Sequence, residues 1–339
     1  MHVPSPRCHD EKEKRQAPAA NEPTGAFRIA AHGLALFTIA RRVDSFAGRL
    51  KPAESTDRCV KRALPGSASR MQQASLFDAA RECLEATSPA DKRALTHRHA
   101  GDVLMRGLVL DDAEVSVVAV DEPGRPSRPN LVDPRDLPRR GLGSHEGRAA
   151  LLHAVAHIEF NAINLAWDAV LRFRGMPEDY YRDWVRIADD EARHFGMLVE
   201  RLATLGFAYG DFDAHDGLWD MARRTRHSCL ERMALVPRVL EARGLDVTPG
   251  MIARLRNAGD AVSGALLEQI LDEEVAHVAA GSRWFAWCCA QSGVDPASTF
   301  THLIDTHLPG KVRGPFNVAA RLRAGFSIGE MATIEAAAA

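Results

Sequence analysis

The chain has 339 residues, and its 43 Lys and Arg against 45 Asp and Glu leave a formal net charge of −2. This even balance does not support binding of nucleic acid through bulk positive charge, although a local basic patch would still permit it. No apolar run reaches the roughly 18 residues of a membrane span. The six cysteines include no C-x-x-C pair, which favours a reduced, cytoplasmic setting.

Residues 1–70 carry scattered Pro, Lys, Glu and Ser without a sustained period, which predicts a poorly ordered N-terminal extension. A start codon placed too far upstream would give the same pattern, with Met71 as the true first residue. The intact mass of the native protein tests this hypothesis, and a native chain that retains residues 1–70 would end it.

The patterning of residues 71–121 predicts an N-terminal helical region. An amphipathic pattern covers 75–86, and Ser88-Pro89 then indicates an N-cap followed by proline at the first helical position. The short alternating run 115–120 could form a lone strand, which is too little for a sheet.

The segment 122–147 contains five prolines and five arginines, so it predicts an extended connector that cannot be helical. Two interpretations remain open at even weight. One is a plain linker that wraps the surface of the C-terminal part of the chain. The other is a clamp whose arginines contact an anionic substrate.

After the connector the sequence shows four long helical patterns, which predict an all-α fold with an antiparallel four-helix bundle over 148–310. They cover about 148–174, 178–205, 216–243 and 260–291. Helices of this length span about 40 Å. The glycine-containing segment 244–259 is predicted as a break, in which 249–257 could form a short helix, and 311–339 as a C-terminal tail.

Three carboxylates lie on the apolar faces of these predicted helices: Glu159, Glu191 and Glu274. An unpaired ionised carboxylate there would cost several kcal/mol, so each must be protonated, paired or bound to a cation. A cation accounts for all three together.

Two Glu-x-x-His motifs strengthen this interpretation, because residues i and i+3 share one helical face and offer an oxygen and a nitrogen to a metal. The motifs are Glu191 with His194 and Glu274 with His277. Glu159 precedes Glu191 by 32 residues and Glu241 precedes Glu274 by 33, so the chain contains two similar helix hairpins. Together they supply the four carboxylates and two imidazoles that hold two irons or manganeses in ferritin-like bundles.

The ligand from the third helix has two candidates. Glu241 has the repeat spacing but lies just before the predicted helix end at Gly244, whereas Glu231 lies deeper in the predicted helix. We favour Glu241, which requires residues 244–258 to continue along the bundle axis.

Two further carboxylates are predicted to support the imidazoles from within their own helices. Asp190 precedes His194 by four residues, and Glu273 precedes His277 by four, within reach of each non-ligating nitrogen. Solvated surface acids are the alternative interpretation. The His153/His157 pair has the H-x-x-x-H spacing of some zinc sites but lies away from the Glu159 face. We favour hydrogen bonding between helices, and a functional role is the alternative.

The sequence resembles a family of bacterial ferritin-like proteins whose function is not established. The matching runs include RPSRPNLVDPRDLPRRGLGS, LLHAVAHIEFNAINLAWD, DDEARHF, ALVPRVLEARGLDVTP and DEEVAHVAAGSRWF. The resemblance implies a ferritin-like bundle with the metal ligands Glu159, Glu191, His194, Glu241, Glu274 and His277. A weaker similarity is to the non-haem di-iron tRNA hydroxylase, in which a Glu-Ala-Arg segment on the third helix supplies a ligand, as Glu241-Ala-Arg243 would here.

The leading functional hypothesis is an oxidoreductase or hydroxylase in which two iron or manganese ions activate dioxygen or peroxide. Rival hypotheses are a ferroxidase or iron-handling protein, and a binding or structural protein that the metal stabilises. The sequence names neither the substrate nor the electron donor, and the oligomeric state is open.

Overall fold

The computed structural model describes residues 75–110 and 120–338, and every regular element within them is helical, which confirms the all-α prediction. The predictions for 1–70 and Met71, and the alternating run apart from Val120, lie outside these residues. The helices are α1 (Leu76–Glu85), α2 (Pro89–Arg106), α3 (His145–Arg172), α4 (Glu178–Thr204), α5 (Gly217–Arg224), α6 (Cys229–Leu235), α7 (Ala242–Asn257), α8 (Ala261–Ser292), α9 (Pro296–His307), α10 (Val318–Arg323) and α11 (Ile328–Ala338), with a π-helical segment Val236–Glu241 between α6 and α7.

The first two helices begin at the predicted caps. The Ser75 hydroxyl accepts a hydrogen bond from the Asp78 amide, and the Ser88 hydroxyl accepts one from the Asp91 amide, with Pro89 at the start of α2. Each cap satisfies an amide that the first helical turn leaves without a backbone partner. Helix α1 packs against α3, and α2 packs against α4.

The connector runs without helix from residue 120 to Ser144 and lies along the loop that comes after α4. The Val132 amide donates to the Ala214 carbonyl at 2.8 Å, and the Ala214 amide donates to the Asn130 carbonyl at 2.9 Å. Arg125 forms an ion pair with Asp216 at 2.7 Å. The connector is therefore fastened to the protein by its own backbone as well as by charge.

The third helical pattern differs from its prediction. It is divided into α5, α6 and the π-helical segment, and α7 then continues through Gly244 and Pro249 to Asn257. The predicted break after Gly244 is wrong. Leu245 and Leu255 are buried in a helix that packs against α8, and this packing outweighs the poor helix propensity of Gly and Pro.

The C-terminal segment 311–338, predicted as a tail, includes α10 and α11. Buried ion pairs attach it to the rest of the protein. Arg321 donates two hydrogen bonds to Asp246, at 2.9 and 2.7 Å, and Arg238 donates to Glu330 at 2.7 Å. None of the described helices is both long and apolar enough to cross a membrane.

Helix α8 contacts the π-helical segment at a glycine. A Cβ atom on Gly281 would lie 2.4 Å from both Cβ and Cγ of Pro237, closer than carbon atoms can approach. The proline ring is rigid, so the backbones themselves would have to separate. Gly281 thus permits α8 to approach the segment that carries Glu241.

We expect Gly281→Ala to destabilise the protein by about 1–3 kcal/mol, as overpacked core substitutions do. The matched control is Gly250→Ala in α7, where an added Cβ has no neighbour within 4 Å. The control should gain up to about 1 kcal/mol because alanine favours the helix. Urea unfolding of both variants measures the difference, and equal midpoints would contradict the close approach.

Candidate metal centre

Helical segments from distant parts of the chain bring acidic and imidazole side chains into one buried region. Helix α3 supplies Glu159, α4 supplies Glu191 and His194, and α8 supplies Glu274 and His277. Glu159, Glu191 and both histidines are at most 5% exposed. Their helical faces are those that the apolar pattern of the sequence indicates.

The first group of donor atoms surrounds His194. Glu159, Glu191, His194 and Glu274 each offer one atom, and these atoms all lie within 4.8 Å of one another. The Nδ1 atom of His194 is 3.4 Å from Glu159 Oε2 and 3.5 Å from Glu274 Oε1. A buried group of this composition could hold a metal ion.

The second group surrounds His277 and shares two carboxylates with the first. His277 Nδ1 lies 3.0 Å from Glu191 Oε1 and 3.3 Å from Glu274 Oε1. Glu191 Oε2 and Glu274 Oε1 are also 3.7 and 3.5 Å from His194 Nδ1. Each of these two carboxylates therefore lies between the two imidazoles.

Several donor atoms of this region are buried and form no hydrogen bond of acceptable geometry, although the imidazoles and carboxylates lie within ion-pair distance of one another. Leaving such an atom unpaired costs about 1–3 kcal/mol, and more when it is charged. A cation among them would satisfy the whole set at once, so these side chains fit a bound metal. The atoms are Glu191 Oε2, His194 Nδ1, Glu241 Oε2, Glu274 Oε1 and His277 Nδ1.

The electrostatics of the region also favour added positive charge. Burial, together with the charges of Glu191 and Glu274, raises the pKa of Glu241 to about 8. Burial and the neighbouring Glu191 likewise raise the pKa of Glu159. Although burial lowers the pKa of His194, the surrounding carboxylates raise it overall. Protons compensate the crowded negative charge where no metal is bound.

Asp190 and Glu273 lie beside the imidazoles, but the predicted pairing within each helix is wrong. The outer nitrogen of His194 is 2.6 Å from Glu273 Oε2, and that of His277 is 3.4 Å from Asp190 Oδ2. The pairs cross because α4 and α8 face each other, so the outer nitrogen of each imidazole reaches the opposite helix.

Arg193 joins the two crossed pairs, and it was not among the residues predicted from the sequence. Its guanidinium donates to Asp190 at 2.9 Å and also to Glu273. The residue lies within the first Glu-x-x-His motif, directly before His194, so its position in the motif is the only sequence feature that could have drawn attention to it.

Glu241 lies within electrostatic range of the donor group, whereas Glu231 contacts histidines elsewhere. The Glu241 carboxyl interacts electrostatically with Glu191, Glu274 and His277. Glu231 instead faces two other histidines, at 3.2 Å from His227 Nε2 and 3.6 Å from His307 Nε2. Continuation of α7 beyond Gly244 places Glu241 within a long helical segment rather than at its end.

His153 and His157 hold the loop after α4. His153 Nε2 accepts a hydrogen bond from the Gly210 amide at 2.9 Å, and His157 Nδ1 bonds the Tyr209 hydroxyl at 2.8 Å. Both histidines thus bond from α3 to a loop, whereas the interpretation from the sequence placed their partners on a helix.

The chain is similar to one family profile and to one bacterial protein. A family profile described as "Protein of unknown function (DUF455)" matches residues 85–332. An uncharacterized protein of Haemophilus influenzae is 45% identical over 213 residues, which cover 61% of this chain and 74% of the relative. The comparison with solved structures gives no match.

Proposed function

Because the chain belongs to the DUF455 family, whose function is unknown, we propose a function from its own geometry. We propose a di-metal carboxylate protein with a ferritin-like four-helix bundle. In this proposal it uses dioxygen or peroxide to oxidise an organic substrate. The metal would be iron or manganese, because mixed carboxylate and imidazole donors suit both ions.

One observation carries the proposal: unpartnered buried donor atoms from three segments of the chain are directed into the same region. Two imidazoles with two carboxylates between them supply donors for two ions rather than one. Glu159 and Glu241 complete the set, one beside each imidazole, as the electrostatic contacts with His194 and His277 indicate.

The side chains have distinct roles in this proposal. Glu191 and Glu274, which lie close to both imidazoles, would help to hold both ions, and carboxylates suit this role because they change coordination easily. Asp190, Glu273 and Arg193 would fix the orientation of the imidazoles from outside. Two bound iron or manganese ions would supply the one-electron and oxygen chemistry that protein side chains lack.

Metal analysis of the purified full-length chain tests the proposal. After anaerobic addition of Fe²⁺ and removal of the excess, we expect two ions per chain, with oxygen consumption that depends on a reductant. Oxidation of many irons per chain into a mineral would favour iron handling instead. A chain that binds no iron or manganese would refute the proposal.

We also expect the apparent metal affinity to rise with pH between about 6 and 8. The pKa of Glu241 is about 8 in the metal-free site, so this carboxyl must lose its proton before it can bind a cation. Higher pH favours the carboxylate and therefore the bound state. Titration in two buffers of different ionisation enthalpy would measure the released protons, and a pH-independent affinity without proton release would contradict this prediction.

A further inference from the structure

A cleft of about 370 Å³ opens between the connector and α3. We call it the connector cleft; its walls are connector residues 134–142, one face of α3, and residues 212–218. Its volume lies within the range of small-molecule sites. Ala154, in the middle of the α3 wall, is five residues before Glu159, about 140° around the helix. The cleft therefore lies on a different face of α3 from the candidate metal centre.

The floor of the cleft contains a buried amide with an unused acceptor. Asn161 is 1% exposed, and its Nδ2 donates to the backbone carbonyl of His157 at 3.0 Å. This bond fixes the orientation of the amide, because the opposite orientation would bring two oxygens together. Asn161 Oδ1 is left buried without a partner. A ligand in the cleft would satisfy it with a hydroxyl or N–H donor.

The rim of the cleft is strongly basic. Arg135, Arg139 and Arg254 are exposed and form no ion pair with any described residue. Arg140 stacks over Phe212 and contacts Glu146 at 3.1 Å.

The acidic side chain among the lining residues is Asp213, which accepts a hydrogen bond from the Asn130 amide at 3.0 Å and keeps its negative charge. Arg135, Arg139 and Arg254 outnumber this one carboxylate. The unpaired guanidinium groups therefore leave a positive potential over the opening.

The histidines of the floor do not add to this charge. Burial lowers the pKa of His157 to about 3 and that of His215 to about 4, so both are neutral near pH 7. The cations are thus confined to the rim, whereas the interior is uncharged and largely apolar, with Leu151, Ile158 and Leu218 in its walls.

We propose that the connector cleft binds a small organic anion with an apolar body. The arginines of the rim would bind its carboxylate or phosphate, the apolar walls would cover its body, and Asn161 would accept from a hydroxyl or amine. Guanidinium groups bind both kinds of anion in paired hydrogen bonds. This site is independent of the proposed metal chemistry.

The test uses 1-anilinonaphthalene-8-sulfonate, which combines an anionic group, an apolar body and one N–H donor. We expect its fluorescence to increase on binding to the full-length chain. Octyl phosphate and octanoate should displace it, and their relative affinities distinguish a phosphate from a carboxylate ligand. Octyltrimethylammonium has the same chain with a positive head group and should not displace it.

The double variant Arg139→Glu/Arg254→Glu should weaken binding of the probe about tenfold or more, since two charge-assisted contacts are reversed. Arg323→Glu is the matched control, because Arg323 is exposed on α10 and does not line the cleft. Ala154→Phe fills the cleft and should abolish binding while metal content stays unchanged.

Two results would overturn the proposal. One is equal probe affinity of the double variant and the unaltered protein. The other is equal displacement by the cationic and anionic detergents. Both arginines are on the surface, so the double variant tests the charge requirement even if Ala154→Phe fails to fold.

Discussion

Glu241→Ala is expected to lose most of the bound metal, whereas Glu231→Ala should retain it. Each carboxyl has a buried oxygen without a hydrogen bond, but their neighbours differ: Glu241 interacts with Glu191 and His277, whereas Glu231 lies beside two histidines elsewhere. Loss of a directly ligating carboxylate should reduce affinity at least as much as loss of an outer partner, about 10- to 100-fold.

Elemental analysis of the two variants after identical metal loading gives the direct comparison. Glu241→Ala also removes a buried carboxyl with a raised pKa, so the metal-free variant should remain folded. Thermal unfolding in the presence of chelator checks this. If both variants retain the metal content of the unaltered protein, Glu241 is excluded as a ligand and the third helix supplies none.

The second large effect is expected at a buried ion pair away from the metal centre. Asp168 accepts a hydrogen bond from Arg232 at 2.6 Å and another from Arg172 at 2.9 Å. Asp168 and Arg232 are 1% and 2% exposed. Asp168→Ala would leave the Arg232 charge buried, and we expect a loss of about 3–5 kcal/mol in the free energy of unfolding.

The exposed pair Arg223–Glu122 provides the control, with side chains 43% and 56% exposed. Glu122→Ala should cost less than about 1 kcal/mol, because solvent screens the charges. Urea unfolding of the metal-free proteins measures both changes. If the two variants unfold at the same urea concentration, the buried ion pair contributes no more to the free energy of unfolding than the exposed one.

The inward positions of Glu159, Glu191 and Glu274 could be predicted because the helical period relates them to apolar neighbours within one segment. The same period placed His194 and His277 beside their glutamates. These relations depend only on local geometry, and the burial of both histidines agrees with them.

Contacts between different helices could not be predicted from the sequence in this way. The crossed contacts of Asp190 and Glu273 depend on the approach of α4 to α8, which no spacing within one helix encodes. The continuation of α7 through Gly244 depends on the packing of α7 against α8 and on the burial of Leu245, which override local propensity. The π-helical segment has no sequence feature beyond Pro237 that indicates it.

The crossing of the pairs has a consequence for how the halves of the protein depend on each other. The first hairpin contains His194, but the carboxylate at its outer nitrogen, Glu273, belongs to the second hairpin. The second hairpin contains His277, and the carboxylate at its outer nitrogen, Asp190, belongs to the first. Although the two motifs look like duplicated units, neither half is self-sufficient. In a separately produced half the outer nitrogen of the imidazole would have no carboxylate partner, so we expect the halves to assemble before an ion is held tightly.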